Sequence, residues 1–281
     1  MMKYFCPSTI AEYFEVIQTF KDRQFTLLSG GTDLVPRYEN KQPLPMHLID
    51  IKKLEGLKGI VERDNEIEIG SLTSIEDLKK SRVIQKYFTA LWMAATEFAG
   101  VQIRHRATIG GNICNASPAG DTLPPLYALN AKLKVISQHS QRLVPISEFI
   151  TGPGEVDLKS GEILESVILY KQPYQSTFYK LGLRSAMAIA VVNFSVTYKL
   201  NGRTFSYLTV TAGAVAPTIV YLKTLTDAIV NNTKILDGNF EQIDQDIAPI
   251  TDIRATSTYR QKALINTLRY TLNSIISGNY V

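Results

Sequence analysis

The sequence predicts an α+β protein in two parts, and three observations carry the prediction. Apolar residues recur at helical spacing in some segments and fall into short bounded runs in others. After Gly161 four long β-rich segments crowd together, Glu162–Tyr170, Thr177–Leu183, Met187–Leu200 and Thr204–Ala214, with Asn201-Gly202 as a hairpin turn. Helical periodicity then returns near the end, so the C-terminal part reads as a meandering sheet covered by helices. The join falls at Lys171–Ser176, where Gln172-Pro173-Tyr174-Gln175-Ser176 has the composition of a linker, giving parts 1–173 and 174–281.

Taken in order, Thr9-Ile10-Ala11-Glu12 has the form of a capping box, and Ile10, Tyr13, Phe14, Ile17 and Phe20 continue at helical spacing, predicting a helix from about Thr9 to Lys21. A strand Phe25–Leu28 follows, and its glycine turn leads into Thr32-Asp33, the start of a short helix that tolerates Pro36 near its beginning. His47–Ile51 is another strand, and Ile60–Val61 with Ile67–Ile69 form a hairpin around Arg63-Asp64-Asn65. Ser74–Lys80 and Tyr87–Phe98 are helical, the second carrying Leu91, Trp92, Ala95 and Phe98 on one side as a core stripe. Pro124–Asn130 is a helical turn opened by proline, Lys132–Ser137 a strand, and Gly152-Pro153-Gly154 a loop. In the C-terminal part Leu225–Val230, Phe240–Ile247 and Thr256–Ile276 are helical, the last with Tyr259, Ala263, Leu264, Leu268, Leu272 and Ile275 on its stripe.

Composition excludes several classes of function. A chain of 281 residues that is 45% hydrophobic can bury a large core. The formal charge of +4 comes from 30 basic against 26 acidic residues without a basic block, a poor basis for nucleic-acid binding. The start, Met1-Met2-Lys3-Tyr4-Phe5-Cys6-Pro7, lacks the apolar core of a signal peptide, and the longest apolar run, Ala186 to Val192, is too short to span a bilayer, so the expected location is cytoplasmic. Cys6 and Cys114, with the scattered His47, His105 and His139, cannot build a zinc or iron–sulphur site. Cys114 reads either as a redox-active thiol or as a small residue filling space.

Two glycine-rich stretches stand out. Ser29-Gly30-Gly31-Thr32-Asp33-Leu34 follows an apolar strand, and Thr108-Ile109-Gly110-Gly111-Asn112 opens a run of small residues that continues to Asp121. Either stretch alone could be a tight turn at a strand end. Together, with Ser29, Thr32, Thr108 and Asn112 supplying donors, they predict converging backbone N–H groups that hold a pyrophosphate without lysine or metal. The second stretch is expected to be exposed turn rather than helix. Gly152-Pro153-Gly154 is not a dinucleotide fingerprint, because Asp157 stands where the third glycine would fall.

These two stretches, with Phe98-Ala99-Gly100, Gln102-Ile103-Arg104, Ser117-Pro118-Ala119-Gly120-Asp121, Phe149-Ile150-Thr151-Gly152-Pro153-Gly154 and Ile253-Arg254-Ala255-Thr256, resemble the FAD-binding subunits of molybdenum hydroxylases, xanthine dehydrogenase and carbon monoxide dehydrogenase flavoproteins above all. The resemblance implies an FAD domain of the vanillyl-alcohol-oxidase type with two lobes, about 1–55 and 56–173, followed by a C-terminal flavoprotein domain over 174–281. It implies FAD contacts at Leu27, Leu28, Ser29, Gly30, Gly31, Thr32, Asp33 and Leu34, and at Thr108, Ile109, Gly110, Gly111 and Asn112. Phe98 would pack near the flavin, Asp121 would accept from cofactor hydroxyls, and Leu164 and Lys180 would meet the ring region. The family relays electrons from a molybdopterin subunit through a [2Fe–2S] subunit to FAD, and then usually to NAD⁺. Two alternatives stay open: a self-sufficient flavin oxidase or reductase of the same superfamily, and a non-catalytic assembly subunit.

Overall fold

The computed structural model describes residues 3–20, 25–39, 47–231 and 240–278. In the first lobe β1 (Lys3–Phe5), β2 (Phe25–Leu28) and β3 (His47–Asp50) form a parallel sheet in the order β1-β3-β2. Helix α1 (Ile10–Gln18) lays Tyr13, Phe14 and Ile17 on an apolar cluster with Ile49, Leu54, Leu57 and Leu72. Thr9 caps it, accepting from the Glu12 amide at 3.1 Å, and the Glu12 carboxylate accepts in return from the backbone amides of Ser8 and Thr9. The helix is shorter than its periodicity suggests, and Lys21 lies outside the described residues. Helix α2 (Leu34–Glu39) starts directly after Thr32-Asp33, with Pro36 in its first turn.

The second lobe is built on a five-stranded antiparallel sheet. Its strands are β4 (Ile60–Glu62), β5 (Glu66–Gly70), β6 (Lys132–Ile136), β7 (Gln141–Pro145) and β10 (Ile163–Tyr170), ordered β4-β5-β10-β6-β7, with β8 (Ile150–Gly152) and β9 (Glu155–Val156) as a separate hairpin around Pro153-Gly154. Helices α3 (Ile75–Lys80), α4 (Arg82–Tyr87), α5 (Thr89–Glu97), α6 (Val101–Arg104), α8 (Leu123–Ala128) and α9 (Ile146–Phe149) accompany it. The expected helix over 87–98 is divided: Phe88 leaves helical geometry, α5 begins after it, and Phe98 is its C-terminal cap. Leu91 and Ala95 are fully buried, whereas Trp92 and Phe98 are half-buried at the margin of the same cluster.

One expectation is overturned. The central glycine stretch is a short helix, α7 (Ile109–Asn115), capped by Thr108 and ended by Ala116 in the left-handed region. Neither Gly110 nor Gly111 has positive φ, so their presence has another cause, given below.

In the C-terminal part β11 (Gln175–Gly182), β12 (Ala190–Asn201), β13 (Thr204–Gly213) and β14 (Val220–Tyr221) form an antiparallel meander. Asn201 pairs with Thr204, so the turn residues are Gly202-Arg203, one place later than expected, with Gly202 at φ 61°. Along β12, Val192, Phe194 and Val196 join the cluster under α10 (Lys223–Asn231) and α11 (Ser257–Ile276), while Asn193, Ser195 and Thr197 alternate to the other face, all buried. That face meets the first part: Thr211 Oγ1 donates to the Pro124 carbonyl at 2.7 Å, and the Ala90 amide donates to Ser176 Oγ at 3.1 Å. The helices over the sheet thus come from both parts of the chain. Two C-terminal expectations are corrected: 240–247 makes only a short 3-10 turn at Glu241–Gln245, and Tyr259 is exposed, its neighbour Arg260 entering the core to donate to the carbonyls of Val191 and Ala214.

A buried ion pair fixes the bend after α5. Arg104 Nε lies 2.9 Å from Glu76 Oε2 and its Nη1 donates to the carbonyls of Phe98 and Ala99, at 3.0 and 3.1 Å, holding Ala99 at φ 37°. The Arg104 guanidinium holds the Glu76 carboxyl below its ordinary range. The pair therefore contributes fully above that range, and its contribution is lost as pH falls below about 4. Removing one partner strands a buried charge, so Glu76→Ala should cost about 3–5 kcal/mol in urea unfolding at neutral pH. Glu76→Gln should flatten the loss of stability below about pH 4 relative to the unaltered chain.

Candidate functional site: a dinucleotide cavity between the lobes

A cavity of about 400 Å³ opens where β2, α2 and α7 converge on the end of β10. Its polar wall is the loop after β2. Among the described residues, the backbone N–H groups of Ser29, Gly30, Gly31, Thr32 and Asp33 have no hydrogen-bond acceptor, although Ser29, Gly30, Gly31, Thr32 and Asp33 all line the cavity. Gly31 takes φ 74°, which turns successive amides in one direction. Amides that the protein leaves unpaired along a cavity wall are available to donate to an anion. Arg37 adds a cation at the rim, with Nη2 2.9 Å from Asn115 Oδ1 and Nε 2.6 Å from Asp33 Oδ2.

The second glycine pair works differently from its expected role. The amides of α7 are already satisfied by protein: Ile109 donates to the Thr73 carbonyl at 3.0 Å, Gly110 to the Ser71 carbonyl at 2.8 Å and Gly111 to Thr108 Oγ1 at 3.0 Å. Gly110 and Gly111 are glycines because of proximity. A Cβ on Gly110 would lie 2.6 Å from Ser71 Cβ, and one on Gly111 would lie 2.8 Å from Ser29 Oγ and 2.9 Å from Thr108 Oγ1. Gly30 is likewise pressed on the Arg106 carbonyl. The first pair leaves its amides unpaired, and the second lets helix, loop and sheet approach closely.

The remaining wall is apolar. Leu27, Leu28, Leu34, Ile51, Leu72, Phe98, Val156, Leu158, Ile163 and Leu164 line it, a surface suited to an aromatic ring system. Cys114 is also there, and burial pushes its thiol up to about 12, which favours the space-filling reading over a reactive thiolate. Ser71 carries no sequence motif. It lines the cavity at 3% exposure, and its buried Oγ has no partner among the described residues. Nothing in Gly70-Ser71-Leu72 marks it, since its placement depends on a backbone contact with Gly110. Arg37 and Asn115 were missed for the same reason. A row of free amides, an orphaned buried hydroxyl and an apolar wall together fit a flavin dinucleotide.

Most of the expected contact residues come together here: Leu27 through Leu34, Phe98, Thr108, Gly110, Gly111, Asn112 and Leu164. Three do not line this cavity. Ile109 is fully buried in the second lobe's core. Asp121 and Lys180 lie beside it as a buried pair, Nζ 2.6 Å from Oδ2, with Asn193 Nδ2 donating to the other carboxylate oxygen at 3.2 Å. Lys180 also reaches the Glu97 carbonyl at 3.3 Å. Burial raises the Asp121 carboxyl, opposed by Lys180 and Asn193. The Asp121 carboxylate is thus engaged with protein donors, one on each oxygen, and it joins the two parts of the chain.

Fold and cavity define a dinucleotide-binding protein with a second domain docked through polar contacts and a small apolar cluster of Phe178 with Ala90 and Ala94. Residues 1–171 match the FAD binding domain in molybdopterin dehydrogenase, and residues 177–275 match the CO dehydrogenase flavoprotein C-terminal domain. The chain is 35% identical over 244 residues to the xanthine dehydrogenase FAD-binding subunit of Escherichia coli O157:H7, covering 84% of each chain. It is 29% identical over 219 residues to the carbon monoxide dehydrogenase medium chain of Hydrogenophaga pseudoflava, covering 77% of this chain and 75% of that one. The reconstituted CO dehydrogenase from Oligotropha carboxidovorans shares the fold at a TM-score of 0.91 and 22% identity, over 99% and 98% of the two chains. The chain belongs to the FAD-binding subunits of the xanthine and carbon monoxide dehydrogenase-like molybdenum hydroxylases.

The contrast between glycines is directly testable. In Gly110→Ala the new methyl meets Ser71 backbone and Cβ, so the apoprotein should lose about 1–3 kcal/mol in chemical denaturation. In Gly111→Ala the new methyl meets only the hydroxyls of Ser29 and the capping Thr108, so the apoprotein should lose about 0.5–2 kcal/mol as the cap is disturbed, while FAD retention on gel filtration falls.

Proposed function

We propose that this chain is the electron-transfer subunit of a multisubunit molybdenum hydroxylase, receiving electrons from the [2Fe–2S] clusters of one partner, fed by a molybdopterin-containing large subunit, and passing them to NAD⁺ or another acceptor. The observation that carries the reading is the row of free amides from Ser29 to Asp33 along a cavity with an apolar wall. FAD is the group that suits such a relay, because it takes electrons singly and releases a hydride. The chain's own residues supply binding and position. Ser29 to Asp33 hold the pyrophosphate, Thr108 supports that loop through Ser29, Asn112 lines the cavity beside it, Phe98 and Leu164 contact apolar portions, and the Lys180–Asp121 pair places a fixed dipole beside the site. The working boundary between FAD domain and flavoprotein domain is 173/174, with lobes of about 1–55 and 56–173.

No acid–base constellation is needed to pass a hydride, in keeping with the side chains around the cavity. A cluster needs thiolate ligands, and the sequence holds two cysteines. Among the described residues no group of three His, Cys, Asp or Glu stands ready for a metal. The partners would therefore bring the metal centres in a heterotrimer. Among the described residues no helix is long and apolar enough to cross a membrane, and we place the complex in the cytoplasm.

The isolated chain should turn yellow with one FAD per chain and oxidise NADH with a dye acceptor. Its flavin should stay oxidised with xanthine, nicotinate or a related heterocycle until the iron–sulphur and molybdenum subunits are added, as followed by flavin bleaching in stopped flow. Bleaching by such a substrate in the isolated chain would replace this reading with a self-sufficient oxidase, and a chain that stays colourless after FAD addition would replace it with an assembly subunit.

A further inference from the structure

We propose that Ser71 is an additional cofactor-holding residue, its hydroxyl bonding a sugar hydroxyl next to the pyrophosphate; this rests on the FAD reading above. Ser71 is locked at both backbone groups. Its amide donates to the Glu165 carbonyl at 2.9 Å and its carbonyl accepts from Gly110 at 2.8 Å, so the residue cannot turn away to find a partner. Its Oγ is nonetheless the one buried, partnerless side-chain oxygen among the described residues that line the cavity. A hydroxyl taken out of water without a partner destabilises the chain that carries it, and a ligand that supplies the partner removes that penalty.

Position selects the ligand group. Ser71 abuts Gly110, whose neighbour Gly111 faces Ser29 and Thr108 at the anion cradle. On its other side Leu72 begins the apolar wall, with Leu164 also on that wall. Ser71 therefore stands at the seam between the polar and the apolar ends. In a flavin dinucleotide, the hydroxyl-bearing sugar units join the pyrophosphate to the rings. A serine hydroxyl both donates and accepts, which matches a sugar hydroxyl.

The test is Ser71→Ala in the full-length apoprotein, titrated with FAD by flavin fluorescence and melted without FAD. The FAD Kd should rise about five- to thirtyfold, because the sugar hydroxyl loses its buried partner. The apoprotein Tm should be unchanged or higher, since an orphaned hydroxyl has been deleted. Inorganic pyrophosphate should compete equally well against both proteins. An unchanged FAD Kd, or a fall in apoprotein Tm alongside the affinity, would overturn the proposal. So would an equal weakening of pyrophosphate, which would move the contact to phosphate. Failure of the unaltered chain to bind FAD would instead overturn the cofactor reading itself, whatever Ser71 does.

Discussion

The cavity depends on backbone packed directly against backbone. Gly30 rests on the Arg106 carbonyl, Gly110 on Ser71, and Gly70 on the Leu57–Lys58 peptide, where a Cβ would lie 2.5 Å from the Leu57 carbonyl oxygen. Three separate elements, the loop after β2, helix α7 and the end of β5, can meet only because these positions carry no side chain. Their closeness then decides which amides are consumed. Those of α7 are spent on Ser71, Thr73 and Thr108, and those of the β2 loop are left over for a ligand.

This explains what was legible in the sequence and what was not. Local signals hold well: Thr9, Ser74 and Thr256 cap the helices they precede, Pro124 opens α8, and the strands of the meander fall close to their expected places. The glycine pairs mark the cavity, yet the same composition signals both conformational freedom and close approach. At Gly31 the first meaning applies, at φ 74°, and at Gly110 the second, so α7 reads as a turn when it is a helix. Ser71 and Arg37 have no local signature at all, because their roles come from contacts across 39 and 78 positions, with Gly110 and Asn115 respectively. Asp121 and Lys180 are placed near the site by resemblance, but their mutual pairing depends on how the second domain docks.

That docking mixes two chemistries. Each part has its own large apolar cluster, and the face between them combines a small one, Phe178 on Ala90 and Ala94, with buried Asn193, Ser195, Thr197 and Thr211. Polar groups specify geometry more sharply than aliphatic ones, since each bond fixes a distance and direction. The bonds from Thr211 to Pro124, Tyr221 to Tyr127, and Asn193 to Asp121 therefore set the C-terminal sheet in one orientation over α8.

The order of strands in the five-stranded sheet also governs how the molecule comes into being. Strand β10 is the last of the five in sequence yet sits in the middle, between β5 and β6. On the ribosome, roughly three-fifths of the chain must emerge before that sheet can close, and Ile163 and Leu164 at the start of the strand are part of the cavity wall. The glycine loop and α7 are synthesised long before the surface that completes them. The wall that receives the cofactor is thus complete only late in the synthesis of the first domain, ahead of the meander that follows.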